Sequence, residues 1–329
     1  GTNNRLGWNP LTGGIVDGKS GIASIAALAD PRNFHLYNVH SATNDWGVFF
    51  DGNEVGSTTI NTTNFSLSAH NEQIGGATAN IFNGDGAEVL LFDRVLSPAE
   101  RMRVNSYLAT KYGVSLGTTA SPSDYVASDG VTIYWTGDAV YQNNVTGIGR
   151  DDTSGLDQRQ SQNVNPQDGG DLVTMGLGTI AGDNGSNPNA FGADLDFMMW
   201  GDNGLSSDFG VVFTPPGGVN ANFHMARTWN IQETGTVGTV KITVPNSLGG
   251  GDPVYLIVSN DDIFDSGDQY FELTSFSVGA NSYLAEDVDF VDGQFFTFAS
   301  ANTAPGGVGS GLHIWYKADA STGAATTGD

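Results

Sequence analysis

Short apolar runs of strand length recur along this chain, and Gly, Asn or Asp closes each within a few residues. Thr239–Val244 (TVKITV), Val254–Val258 (VYLIV), Phe197–Trp200 (FMMW) and Gln294–Phe298 (QFFTF) are of this kind. There are 46 glycines in 329 residues. A glycine inside a helix costs about 1 kcal/mol relative to alanine, whereas at a turn it supplies positive φ without strain. The pattern therefore predicts an all-β protein made of antiparallel β-sandwiches, with turns at sandwich-like intervals. The length suits about two domains with full cores.

Individual elements can be read further. Phe34–His40 alternates, and Trp46–Phe50 runs into Asp51-Gly52-Asn53, a hairpin turn of the Asp-Gly kind. Ala87–Phe92 is a continuous apolar run, expected as a strand buried on both faces. One helix is marked near 98–112. Ser97-Pro98-Ala99-Glu100 is a capping box with Pro at the first helical position, and Lys111-Tyr112-Gly113 supplies a cation and a stop. Thr118–Ser123 and 302–311 read as linkers. They divide the chain into a front sandwich over 1–117, a second sandwich region over 124–301 and a final segment, 312–329. A break near 215–220 leaves one or two subdomains open for the second region.

The final segment opens with Leu312-His313-Ile314-Trp315-Tyr316-Lys317, a strand pattern following a flexible Gly-rich stretch. A lone strand cannot bury its own apolar side chains. Leu312, Ile314, Trp315 and Tyr316 are thus expected to add to a sheet, either the front domain's own or that of a neighbouring copy. Head-to-tail addition between copies gives a filament, because such a contact need not close.

The formal charge is −24, from 36 acids and 12 bases. Nucleic acid and anionic membrane are poor partners for such a surface. No stretch approaches the roughly 20 apolar residues of a membrane helix. Cysteine is absent, which removes disulfides, thiolate chemistry and Cys-ligated zinc, and favours an exported bacterial protein over a eukaryotic secreted one. Residue 1 sits in a Gly/Asn-rich stretch with no start Met, as in an internal piece of a longer chain.

Two stretches carry a family resemblance. Ala87 to Leu116 (AEVLLFDRVLSPAERMRVNSYLATKYGVSL) resembles the closing strand and helix of concanavalin/laminin-G-like domains in giant bacterial surface adhesins. The tail LHIWYKADASTG resembles the opening strand of the same domain type. Residues 1–30 show no such opening strand. Ile148–Asp152, Asp157–Ser161, Arg227–Trp229, Val254–Asp261 and Asp292–Thr297 resemble a repeat found beside such domains. The resemblance implies a tandem array in a large exported adhesin, as in Bacteroidota, gliding-associated ones among them. Its place would be extracellular, at the cell surface, with neighbouring copies of the same protein as partners. It implies adhesion and carries over no catalytic residue.

Candidate sites are few. Asp261, Asp262, Asp265 and Asp268 crowd one loop, which can wrap a hard cation such as calcium or simply form Asx turns. Trp8 and Asn9 are the candidate glycan contacts, since Trp8 lies in a loop-like stretch while the other tryptophans sit in strand patterns. His35, His40, His70, His224 and His313 show no metal spacing. Glycoside hydrolysis needs two convergent acids, and Glu54, Glu72, Glu88, Glu100, Glu233, Glu272 and Glu286 are scattered singly. The expectation is a non-enzymatic structural and adhesive module. A calcium-dependent carbohydrate-binding module is the alternative, with a hydrolase behind both.

Overall fold

The computed structural model describes residues 33–60, 85–165 and 169–301, together with the backbone of 6–9 and 14–17. Strands β1 (Leu6–Asn9) and β2 (Gly14–Asp17) pair as an antiparallel ribbon. Strands β3 (Tyr37–Ala42), β4 (Asp45–Phe50) and β5 (Asn53–Thr58) form a meander. Asp51 and Gly52 turn between β4 and β5 at φ of 46° and 84°, as a two-residue hairpin loop with two positive φ angles requires.

Helix α1 (Pro98–Tyr112) has the expected cap. The Ser97 hydroxyl accepts from the Glu100 N–H, the Glu100 carboxylate accepts from the Ser97 N–H, and Gly113 ends the helix in left-handed geometry. Short ribbons β6 (Gly117–Thr118) with β7 (Ser121–Pro122), and β8 (Tyr125–Val126) with β9 (Ile133–Trp135), follow it.

The rest is a sandwich. Strands β10 (Asn143–Asp151), β11 (Leu156–Gln158), β14 (Phe197–Asp202), β15 (Phe209–Val212), β16 (Phe223–Met225), β17 (Trp229–Thr234), β19 (Val254–Ser259), β20 (Gln269–Glu272) and β23 (Phe295–Ser300) make a nine-stranded sheet. Strands β12 (Gln160–Gln162), β13 (Thr174–Leu177), β18 (Val240–Pro245), β21 (Thr274–Val278) and β22 (Asn281–Val288) make a five-stranded one. All pairings are antiparallel. The all-β sandwich class with one α-helix is what the residue pattern predicts.

Strand periodicity explains the layering. Along β14, Met198 and Trp200 enter the core between the sheets, where they meet Met175 of β13 and Ile242 of β18. Phe197 and Met199 point to the opposite face, where they meet Ala109 of α1, Tyr125 of β8 and Trp135 of β9. The large sheet is thus covered on its outer face as well, and every residue of β14 is buried.

Three differences from the sequence reading stand out. First, Ala87–Phe92 forms no strand pairing among the described residues, and it is exposed, with Leu91 88% accessible. An apolar run becomes a buried strand only where a sheet accepts it, and no described strand lies alongside this one. Second, 118–123 is no linker between separately packed bodies. Leu116 and Tyr125 share one core, and the Leu116 N–H donates to the Tyr125 hydroxyl at 2.8 Å. Helix α1, read as part of a front domain, lies on the sandwich because its buried face meets β8 and the outer side of β10. Third, no break falls at 215–220: β15 and β16 pair across it, and one core runs from Ile148 to Phe298.

Candidate functional site

Residues 88–96 run beside α1 in the opposite direction and are fastened at two points. The Glu88 carboxylate accepts from Lys111 Nζ and from the Tyr112 hydroxyl, both at 2.8 Å. Arg94 donates two parallel bonds to Glu100 at 2.7 and 2.8 Å, the bidentate geometry that suits a guanidinium and a carboxylate. Eleven helical residues separate the two anchors on α1, about 16 Å of axis.

These anchors shape their own electrostatics. Lys111, then Tyr112, hold the Glu88 carboxyl below the ordinary carboxylate range. Arg94, then the Ser97 backbone and hydroxyl, hold Glu100 far below it. Between the anchors, Leu90 and Phe92 line a groove of about 350 Å³ whose far wall is Val104 and Tyr107 of α1, with Leu156 of β11 also lining it. Val89 and Leu91 alternate with them and are 63% and 88% accessible. The segment alternates in exposure from residue to residue but has no ladder among the described residues.

The acidic loop after β19 is organised differently. Asp261 accepts from the Ser259 hydroxyl and the Ile263 N–H, Asp265 from the Gly267 N–H, and Asp268 from the Asp265 N–H. Asp262 leaves the loop for the sheet, where Thr228 Oγ1 donates to it at 3.3 Å; Thr228 also meets the Tyr141 hydroxyl at 3.0 Å. Burial, then the bond to Asp262, pushes the Tyr141 phenol up. Burial, then the charges of Asp268 and Asp265, pushes Tyr270 up to about 12. Three of the carboxylates thus close their own turns and Asp262 joins the sheet, and among the described residues no three His, Asp or Glu side chains converge as a metal would require.

A shallow polar groove of about 490 Å³ lies where α1 ends. Gln158, Gln162, Asp171, Thr174 and Tyr112 line it. Amide and carboxylate side chains beside one phenol ring are groups that bind hydroxyl-rich ligands. The large sheet also contains an ion pair, Arg227–Asp202, with side chains only 8% and 1% accessible. It sits where β14 gives way to β15 and β16 to β17. Asn203 bonds the Ala226 carbonyl and Thr228 there, and Arg227 Nε donates to the Leu205 carbonyl. These bonds satisfy the backbone where both ladders break.

The other sequence candidates are placed as follows. Trp8 and Asn9 lie on β1, opposite Ile15 and Gly14, and their side chains are outside the described residues. Leu312, Ile314, Trp315 and Tyr316 also lie outside them. Arg150 pairs with Asp152 at 2.7 Å on the surface. His224 is half-buried between the rings of Phe213 and Phe264, and burial lowers its pKa. Sequence reasoning missed the anchored ribbon, although Arg94 lying six residues before a helix-capping Glu was a legible sign. It also missed the Arg227–Asp202 pair, which joins residues 25 apart and left no local signal.

Comparison with known proteins gives one match: residues 100–294 fit the family described as Domain of unknown function (DUF8202). No curated protein and no solved structure matches the chain. The matched span begins inside α1 and ends just before β23, and it takes in the helix together with most of the sandwich it covers. The chain belongs to the DUF8202 family.

Proposed function

We propose that this chain is a non-enzymatic structural and adhesive module of a large extracellular bacterial surface protein, joined to its neighbours through β-sheet contacts. The observation that carries this reading is the Glu88–Arg94 ribbon. It is an exposed apolar segment tied to α1 at both ends and lying beside the sandwich. Exposed apolar segments of this kind mark contact sites. The chemistry-bearing side chains support the same reading, because the carboxylates of the acidic loop close turns and those of Glu88 and Glu100 hold the ribbon. A net charge of −24 and the lack of cysteine suit an exported, salt-tolerant surface.

A second reading, a carbohydrate-binding module, is favoured by the amide-lined groove of Gln158, Gln162, Asp171 and Tyr112. Calcium enters it as a variable of the test. The full chain is incubated with a panel of polysaccharides, with and without calcium, while retention, self-association and release of reducing ends are followed. The modular reading expects self-association and no release of reducing ends. Saturable, calcium-dependent retention that Asp171→Ala removes would favour the second. Release of reducing ends, lost on replacing a single Glu by Gln, would overturn both.

A further inference from the structure

We propose that His224 is the pin of an acid-sensitive cover: its neutral ring holds the loop 213–221 down on the outer face of the large sheet, and protonation of that ring releases the loop. This goes beyond the modular reading and does not depend on it.

The strand registers place the pin. Val211 of β15, His224 of β16, Ala299 of β23 and Tyr255 of β19 are successive cross-strand partners. Met225 enters the core between the sheets, so His224 beside it points to the outer face. Ala299 adds only a methyl group to that face. The loop fills the space from outside, where Phe213, Val219 and Ala221 pack with Tyr255, Ile257 and Phe264. The His224 ring centre is 5.3 Å from that of Phe213 and 5.6 Å from that of Phe264, so one imidazole joins the loop to the acidic loop after β19.

The two loops are tied down unequally. In the acidic loop, Asp262 accepts from Thr228, and the Asp265 carbonyl accepts from the Tyr270 hydroxyl at 2.7 Å. The middle of 213–221 reaches the sheet through the Asn220 N–H, which donates to the Tyr255 hydroxyl at a long 3.4 Å. Its tip is Pro215-Pro216-Gly217-Gly218, with Gly218 at a φ of 96°. Disturbing the packing around His224 therefore acts first on 213–221.

The ring's chemistry sets the trigger. His224 Nδ1 lies 2.6 Å from the Met225 carbonyl. A carbonyl oxygen only accepts, so Nδ1 carries the proton of the neutral ring and Nε2 is the atom that titrates. Burial disfavours the cation and outweighs the opposing bond to Met225, which puts the folded pKa below the ordinary histidine value of about 6.5. Among the described residues, the strands and loops packed against the ring carry Asp208 ahead of β15, Arg227 after β16, Asp261, Asp262, Asp265 and Asp268 in the acidic loop, Tyr255 on β19, and Tyr270 and Glu272 on β20. Arg227 pairs with the buried Asp202. With the folded value lowered, the pinned state keeps its full advantage above about 6.5 and loses it as pH falls toward the folded value.

Two measurements on the full chain test this. The His224 ring, titrated by NMR, should show a midpoint below about 6.5. Hydrogen exchange of amides 213–222, corrected for its intrinsic pH dependence, should accelerate severalfold relative to the core strands between about pH 7.5 and pH 5. His224→Phe keeps an aromatic ring in the slot and removes the charge, so the same amides should show no such acceleration. His224→Gln, which keeps a donor for the Met225 carbonyl, should behave alike and serves if the first variant does not fold. A midpoint at or above about 6.5 overturns the inference. So does unchanged exchange in the parent protein, or equal acceleration in the variants. None of these readouts involves association between copies, so their failure leaves the modular reading to its own test.

Discussion

Strand β23 and the Ala87–Phe92 ribbon begin as similar sequences, FFTFAS and AEVLLF, and end as opposites. Strand β23 has β19 along one edge and β17 followed by β16 along the other, and its Phe296 and Phe298 are fully buried between the sheets. The ribbon has a helix under one face, no described strand on either edge, and leucine 88% exposed on the other. Side-chain hydrophobicity is about equal in the two. Among the described residues the difference lies in ladder partners, because a strand's backbone must be satisfied before its apolar faces can be enclosed. One region is held by packing on both faces, and the other by two ion pairs.

This contrast orders the expected effects of substitution. Arg227→Ala should be the most damaging change, costing about 3–5 kcal/mol, because it removes the cation paired with the buried Asp202 carboxylate and leaves that charge only the bonds from Asn144, the Gly204 N–H and its other neighbours. Denaturant unfolding monitored by tryptophan fluorescence measures it. Phe296→Ala in β23 should cost a similar or slightly smaller amount, about 3–4 kcal/mol, through the cavity it leaves. Trp46→Ala is the informative partner to that change. Trp46 is buried in a satellite cluster with Val48, Phe50 and Val55, so hydrogen exchange should rise in β3–β5 while the midpoint of the sandwich barely moves. A fall in the sandwich midpoint as large as that of Phe296→Ala would show that the meander and the sandwich unfold as one unit. Ser97→Ala should cost about 1 kcal/mol by removing the helix cap. It also removes one hydroxyl that holds Glu100 toward Arg94.

The smallest effect concerns the ribbon's anchors and pH. Glu88 and Glu100 both have folded-state pKa values below their unfolded ones. Their contribution is therefore present above the ordinary carboxylate pKa of about 4.3, and it fades as pH falls through the depressed folded values. Carboxyl-carbon NMR titration should place both midpoints below about 4.3. The ribbon should stay anchored at neutral pH and loosen only in strong acid. Midpoints at the ordinary value would mean that the ion pairs do not hold the ribbon in solution. These pairs are solvent-facing, so the effect on global stability is small.

Much of the fold was legible in the residues. The capping box at Ser97–Glu100 and the stop at Gly113 mark α1, because a helix end needs local partners for its orphan N–H and C=O groups. The Asp51-Gly52 turn is equally local, and the sandwich class follows from the period-2 apolar runs. The candidate site was much less visible. The crowding of Asp261, Asp262, Asp265 and Asp268 suggested one shared centre, but each carboxylate turns to a different neighbour, since Asx turns form within two or three residues of their own backbone.

The sequence by itself determined the periodicities, the helix ends and the turns, all settled within about four residues of chain. Only the tertiary structure decided that α1 covers the large sheet, that Arg227 meets Asp202, and that one apolar run is enclosed while another lies open. Those outcomes depend on which distant strands come alongside, and hydrophobicity along the chain carries no address for a partner.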